Sequence, residues 1–238
     1  MIVQLDNRVT TNFAFAKQIL RLLSRILEFR KFRILWIGDS HAVYMRRGLR
    51  SCFGQNKPIE SLLYWLGPRL IFSISRSGFP LSLFFQTFIR LWKPRTVIIS
   101  LGEIDVRMFL SNPKFRKTGW IADYLFRVLE LCNKLKLNEI YLLTNIPVSN
   151  LPPLDPIERV GNITERLKGF NWLQAQIKLE LKNNKDFSKI HYLDLHDCLN
   201  GADGTLSSNL SDDGIHVNVA GAWQVWSVIS NQVLRYPN

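Results

Sequence analysis

Short apolar runs punctuate the chain, and between them the apolar positions recur every three or four residues. Five runs read as strands: residues 34–37, 62–66, 96–101, 140–144 and 190–194. They are rich in Ile, Leu, Val and aromatic side chains, and most lack a polar face. Strands take that composition when a parallel sheet is covered on both sides. Turn residues close several of them: Gly67-Pro68 after the second, Gly102 after the third, Asn145-Ile146-Pro147 after the fourth.

The intervening stretches carry a helical period. Leu81, Phe84, Phe85, Phe88 and Ile89 mark a helix over 80–92, and Ile121, Leu125, Val128, Leu129 and Cys132 one over 119–136. Ile163, Leu167, Trp172, Leu173 and Ile177 mark a third over 160–181, and Ala222, Trp226, Ile229 and Val233 a fourth over 219–234. Strands alternating with helices predict an α/β fold, a three-layer α/β/α sandwich around a central parallel five-stranded sheet. The one long loop, residues 147–159, holds four prolines and is expected to border a site.

Residues 12–31 predict an amphipathic helix. Lys17, Arg21, Arg25 and Glu28 share one face, and Phe15, Ile19, Leu22, Leu23, Ile26 and Leu27 fill the other. Residues 1–31 are read as an N-terminal helical segment and 32–238 as one domain. The helix packs on that domain or on a partner. The competing reading is contact between 12–31 and an anionic membrane surface.

Composition narrows the class. The 238 residues suit one α/β domain. Net charge is +12, from 31 Lys and Arg against 19 Asp and Glu. The basic residues are dispersed, with no run of five and no nucleic-acid signature, so a basic surface is expected and a nucleic-acid partner is not. The three cysteines, Cys52, Cys132 and Cys198, form no Cys-x-x-Cys pair, so neither a disulfide framework nor a cysteine zinc site is indicated. No run of 18 apolar residues occurs, and Lys17, Arg21 and Arg25 interrupt any signal-peptide core, so a cytoplasmic protein is expected.

The chemistry-bearing residues fall just past the predicted strand ends, where sites form in open α/β sheets. Ser40 follows the first strand in Gly38-Asp39-Ser40-His41, and Asp213-Gly214-Ile215-His216 precedes the last helix. A serine, a histidine base and a carboxylate to orient the base are the parts of a nucleophilic triad. Asp212 adjoins Asp213 and is read as solvated. Asp39-Ser40-His41 also matches the Asp-x-His of a two-metal phosphoesterase. That chemistry needs more ligands than His41, His191, His196 and His216 supply, and the chain has no Asn-His pair, so no metal is expected.

Gly38-Asp39-Ser40, the Gly-x-x-Asp of Gly102–Asp105 and Asp213-x-x-His216, in this order and strand context, resemble the SGNH, or GDSL-type, hydrolase superfamily across about residues 32–235. The resemblance implies a flavodoxin-like sheet, Ser40 as nucleophile, His216 as general base and Asp213 as its orienting partner. It implies no cofactor. It also implies an oxyanion hole built from the Ser40 N–H, a glycine N–H after the second strand and a side-chain amide from a Gly-x-Asn-Asp block. Gly67 and Gly78 compete for the glycine role, with Gly78 favoured. The block here reads Gly102-Glu103-Ile104-Asp105-Val106-Arg107, a variant with Ile104 where the amide is expected, and isoleucine donates no hydrogen bond. Asn145 is the candidate replacement, against a plain turn role. Arg107 either holds an anionic substrate group or pairs with Glu103 or Asp105. His41 either touches substrate or is structural.

The expected activity is hydrolysis of a small O-acyl ester, with acetylated carbohydrate as the first substrate class. An O-acyltransferase of the same fold and a glycan- or partner-binding module are the alternatives.

Overall fold

A computed structural model of the chain describes residues 34–45, 61–94, 96–152 and 159–234. The expected helix over 12–31, the domain boundary at 31/32 and Cys52 lie outside the described residues. Five strands form one parallel sheet: β1 (Ile34–Gly38), β2 (Ser61–Trp65), β3 (Thr96–Ser100), β4 (Ile140–Leu143) and β5 (Ile190–Leu193). Their order is β2-β1-β3-β4-β5, the flavodoxin-like arrangement. Each predicted strand is present within a residue or two of its expected ends.

The sheet has two covered faces because its side chains alternate. Leu35, Ile37, Val97, Ile99, Ile140 and Leu142 point into one apolar layer; Ile34, Trp36, Ile98, Tyr141, Leu143 and Leu193 point into the other. Four helices cover the first face: α1 (Ile71–Ser77), α2 (Leu83–Trp92), α3 (Gly119–Leu135) and α4 (Ile163–Asn183). The helical residues 40–45 and α5 (Val219–Ile229) cover the second through Ala42, Met45, Ala222, Val225 and Ile229. This is the three-layer α/β/α sandwich. Among the described residues no helix is long and apolar enough to cross a membrane.

Three of the four predicted helices begin at side-chain caps. Ser82 accepts the Phe85 N–H ahead of α2, Asn162 and Glu165 form a capping box on α4, and Asn218 accepts the Gly221 N–H ahead of α5. Beyond Ile229 the chain continues as a π-helical segment, Ser230–Leu234. The sequence pattern missed α1. Its N-cap position is Leu70, which has no capping side chain. It also missed the segment after β3, a helical turn Glu103–Asp105 that runs into a π-helical stretch Val106–Leu110. This stretch packs against α4 at Gly169, where a Cβ would lie 2.4 Å from the Leu110 carbonyl oxygen.

Candidate active site

The parallel register sets out the site. Gly38 pairs with Trp65 on β2 and with Ser100 on β3, and Ile99 pairs with Leu142 on β4. Continuing those registers past the strand ends places Gly67, Ser40, Gly102 and Asn145 at one level along the carboxyl rim. Gly67 and Gly102 thus follow the two strands that pair with β1, the strand that ends just before Ser40.

Ser40 opens the helical residues 40–45 after a tight exit from β1. Gly38 permits that exit, since a Cβ there would sit 2.5 Å from the Ser100 carbonyl oxygen. A helix beginning at Ser40 leaves its first N–H groups without intrahelical acceptors.

His216 arrives just before α5, on a turn built by Asp213. Asp213 Oδ1 accepts the backbone N–H of Ile215 at 2.8 Å and of His216 at 2.7 Å, while Oδ2 lies 2.6 Å from His216 Nδ1. Gly214 turns with φ +73°, and a Cβ there would come within 2.8 Å of the Leu151 carbonyl oxygen. Arg159 ties the turn down, donating to the carbonyl oxygens of Leu151 at 2.9 Å and Gly214 at 2.7 Å. His216 Nε2 is 3.0 Å from Ser40 Oγ. The structure therefore joins Ser40, His216 and Asp213 in one hydrogen-bonded chain. Asp212 is exposed and accepts the Asn218 side-chain amide at 2.9 Å, away from the imidazole.

The electrostatics suit proton transfer. Burial would raise Asp213, but its bonds from His216 and from backbone amides outweigh this and hold it below the usual carboxylate range. The carboxylate keeps the imidazole proton on Nδ1 and leaves the Nε2 lone pair facing Ser40. Burial, and then the charge of nearby His41, lower His216 despite Asp213, so its neutral form persists into mildly acidic solution.

Two aromatic neighbours fix the imidazole. Tyr44 stacks on it with ring centroids 4.0 Å apart and planes 9° from parallel, and His41 approaches at 4.9 Å, tilted by 43°. The sequence reading did not single out Tyr44. It lies four residues after Ser40, and that spacing on a helix places both on one face.

His41 is 3% exposed, and its Nε2 lies 3.4 Å from Glu103 Oε2. That is an ion pair without an aligned hydrogen bond. Burial acts to lower His41, but the Glu103 and Asp39 carboxylates raise it above the ordinary value. Glu103 also accepts from Arg107 Nε at 2.8 Å. Burial would raise Glu103, and its cationic partners His41 and Arg107 bring it down instead. Arg107 thus pairs with Glu103, one of its two expected roles.

Gly78 and Asp105 both serve α1. Gly78, the favoured glycine, ends α1, and its N–H donates to the Ile74 carbonyl at 2.8 Å. Its backbone donor is spent, which leaves Gly67, two residues past the end of β2, as the other glycine expected for the role. Asp105 is 2% exposed and accepts the N–H groups of Ile71 at 2.8 Å and Phe72 at 3.2 Å. It caps α1. Ile104 is half-buried on the turn between them.

Asn145 is 6% exposed and its Nδ2 has no hydrogen-bond acceptor among the described residues. It lies against Gly102, where a Cβ would sit 2.5 Å from that nitrogen. The bare Cα of Gly102, at φ +112°, admits the amide. Among the described residues no group of three or more His, Cys, Asp or Glu side chains is placed to hold a metal ion.

No protein-family model and no curated protein matches the sequence. Solved structures do. A GDSL-like lipase from Bacteroides thetaiotaomicron superposes with a TM-score of 0.60 at 17% identity, covering 85% of this chain and 88% of its own. The inhibitor-bound M. smegmatis aryl esterase gives 0.53 at 16% identity, covering 86% and 99%. An acetyl xylan esterase gives 0.50 at 16%, covering 82% and 98%. The chain has the SGNH, or GDSL-type, hydrolase fold. At such identities the likeness speaks for the fold alone, and the chemistry rests on the residues at the rim.

Proposed function

We propose that the chain is a serine ester hydrolase working through an acyl-serine intermediate. The observation that carries this reading is the hydrogen-bonded chain from Ser40 Oγ through His216 to Asp213. Ser40 Oγ attacks the ester carbonyl carbon as its proton passes to His216 Nε2, and Asp213 stabilises the imidazolium. The tetrahedral oxyanion collapses, the C–O bond to the alcohol breaks, and His216 returns the proton to the leaving oxygen. Water, deprotonated by His216, then attacks the acyl-serine, and the acid leaves as Ser40 regains its proton.

The developing oxyanion needs donors already in place. The Ser40 N–H, the Gly67 N–H and the Asn145 side-chain amide fill this role on our reading. Gly67 follows the strand paired with β1, and Asn145 carries a buried amide nitrogen with no acceptor among the described residues; both support this reading. Asn145 thereby takes over from the residue that Ile104 replaces. The substrate class we assign is a small O-acyl ester, with acetylated carbohydrate suggested by the fold's likeness to the acetyl xylan esterase.

The test needs no substrate. The protein is incubated with a fluorophosphonate probe and analysed by peptide mass spectrometry. A covalent adduct on Ser40, lost in Asp213→Asn and His216→Ala, is the expected result. An intact, folded protein with no adduct on Ser40 overturns the reading.

A further inference from the structure

One cavity at the rim is lined by arginine. Its walls include Glu103, Arg107, Ser149, Arg159, Arg166 and Gly214, and its volume is about 20 Å³, room for one water-sized group. The Asp213–His216 turn forms part of the wall through Gly214 and Ile215. The cavity therefore adjoins the candidate triad.

The charges in it do not balance. Among the described residues, Glu103 is the one acid in the lining, and it is shared between Arg107 and His41. Arg159 spends its guanidinium on two neutral carbonyl oxygens. Arg166 is only 9% exposed, and its Nε has no hydrogen-bond partner. No ion pair of Arg166 with a described residue accompanies it. Burial lowers both Arg159 and Arg166; the Arg166 and Arg107 cations add to this at Arg159, and at Arg166 the pull of Glu103 opposes burial and the Arg107 cation without cancelling them. A guanidinium nevertheless stays protonated.

A buried charge without a partner is costly, and folds retain one where function needs it. Its burial is constructed. Arg166 lies one turn before Gly169, the residue whose missing Cβ lets α4 approach the π-helical stretch that carries Arg107.

We propose that this pocket receives one oxygen of a substrate carboxylate, whose remaining atoms stay at the pocket mouth, so that the enzyme acts on O-acyl esters that also carry a carboxylate. This rests on the ester-hydrolase reading and deepens it. Arg166 supplies the charge-assisted hydrogen bond that the empty pocket lacks, and Arg159 adds positive potential from the turn beside it. The small volume admits a single oxygen and keeps the rest of the substrate outside the pocket. The ester end of the same molecule reaches Ser40.

The test uses acetoxyacetate, 3-acetoxypropanoate and 4-acetoxybutanoate, each against its neutral carboxamide. A tenfold or greater kcat/KM preference for the carboxylate is expected for at least one chain length, carried by KM. Arg166→Gln should abolish that preference. A binding readout without turnover accompanies it. The corresponding hydroxy acids, at ten times their dissociation constants, should raise the unfolding midpoint of the wild type by about 3–6 °C and leave Arg166→Gln unmoved.

With no ligand present, Arg166→Gln should melt higher than the wild type, because a buried unpaired charge has been removed. A lower midpoint for Arg166→Gln would reveal an internal partner and overturn the proposal. Stabilisation by inorganic phosphate but by none of the carboxylates would overturn the ligand class. Turnover of neutral esters with no carboxylate preference and no midpoint shift refutes the pocket and leaves the esterase reading standing. Midpoint shifts without turnover of any ester do the reverse.

Discussion

The carboxylate of Asp105 accepts the backbone N–H of Ile71 at 2.8 Å, from 34 residues further along the chain. The contact joins the turn after β3 to the first residue of α1, and Asp105 also accepts the Phe72 N–H. Burial pushes the Asp105 carboxyl up to about 7, although both amide bonds pull it the other way. A carboxyl raised in the folded state gives stability that is complete below its unfolded pKa, near 3.8, and lost as the pH climbs through about 7. Wild-type stability should fall relative to Asp105→Asn between pH 4 and pH 8. Urea midpoints of the two proteins across that range check this, and a gap that widens in favour of the wild type would contradict it. Asp105→Ala removes the cap altogether and should cost roughly 0.5–2 kcal/mol at pH 5.

Asp213→Asn should lower kcat on an activated ester by about three to four decades with little change in KM, since the asparagine no longer holds the proton on His216 Nδ1. Asp212→Asn, whose partner is Asn218, should change kcat by less than about threefold. Equal losses in the two variants would sink the assignment. Ser40→Ala should leave under about a tenth of the wild-type rate.

Asn145→Ala should reduce kcat about a hundredfold through loss of one oxyanion donor. Ile104→Asn in the Asn145→Ala background asks whether an amide at 104 can serve instead; recovery of about tenfold in kcat, and not in KM, is the expected outcome. An Asn145→Ala enzyme with wild-type kcat would return Asn145 to a turn role.

The acid limb of kcat/KM should fall below the ordinary histidine value, because burial and the His41 charge both favour neutral His216. Activity needs that neutral form, so it is present above the His216 pKa and lost below it. Removing the neighbouring cation in His41→Gln should raise the His216 pKa and move the acid limb to higher pH. A pH profile in which the variant's limb stays put or moves downward would contradict the electrostatic role given to His41.

The strands and the triad geometry were legible because their determinants are local. Buried parallel strands announce themselves as apolar runs, and Asp-x-x-His lets one carboxylate reach two backbone amides and its own imidazole within a single turn. Gly78 was misjudged for the opposite reason. The helix that consumes its N–H carries no capping residue of its own; the cap arrives from Asp105 in another part of the chain. Nothing in the sequence sets Arg166 apart. Its burial depends on Gly169 and on a π-helical stretch that no periodicity revealed. Asn145 is the intermediate case: its place at a strand end was visible, but its contact with Gly102 required the register of two strands.

That contact has an evolutionary reading. The Asn145 amide, just past β4, can occupy its position only while residue 102 has no side chain, and on the proposed oxyanion role it is needed there only while residue 104 offers none. Three positions on two segments are thus bound by one exchange. Relatives bearing asparagine at 104 should be released from asparagine at 145, and those that keep isoleucine at 104 should hold glycine at 102 and asparagine at 145 together. On the proposed role the donor sits at the margin of the sheet, so its aim follows strand pairing and tolerates changes in the length of the loop after β3.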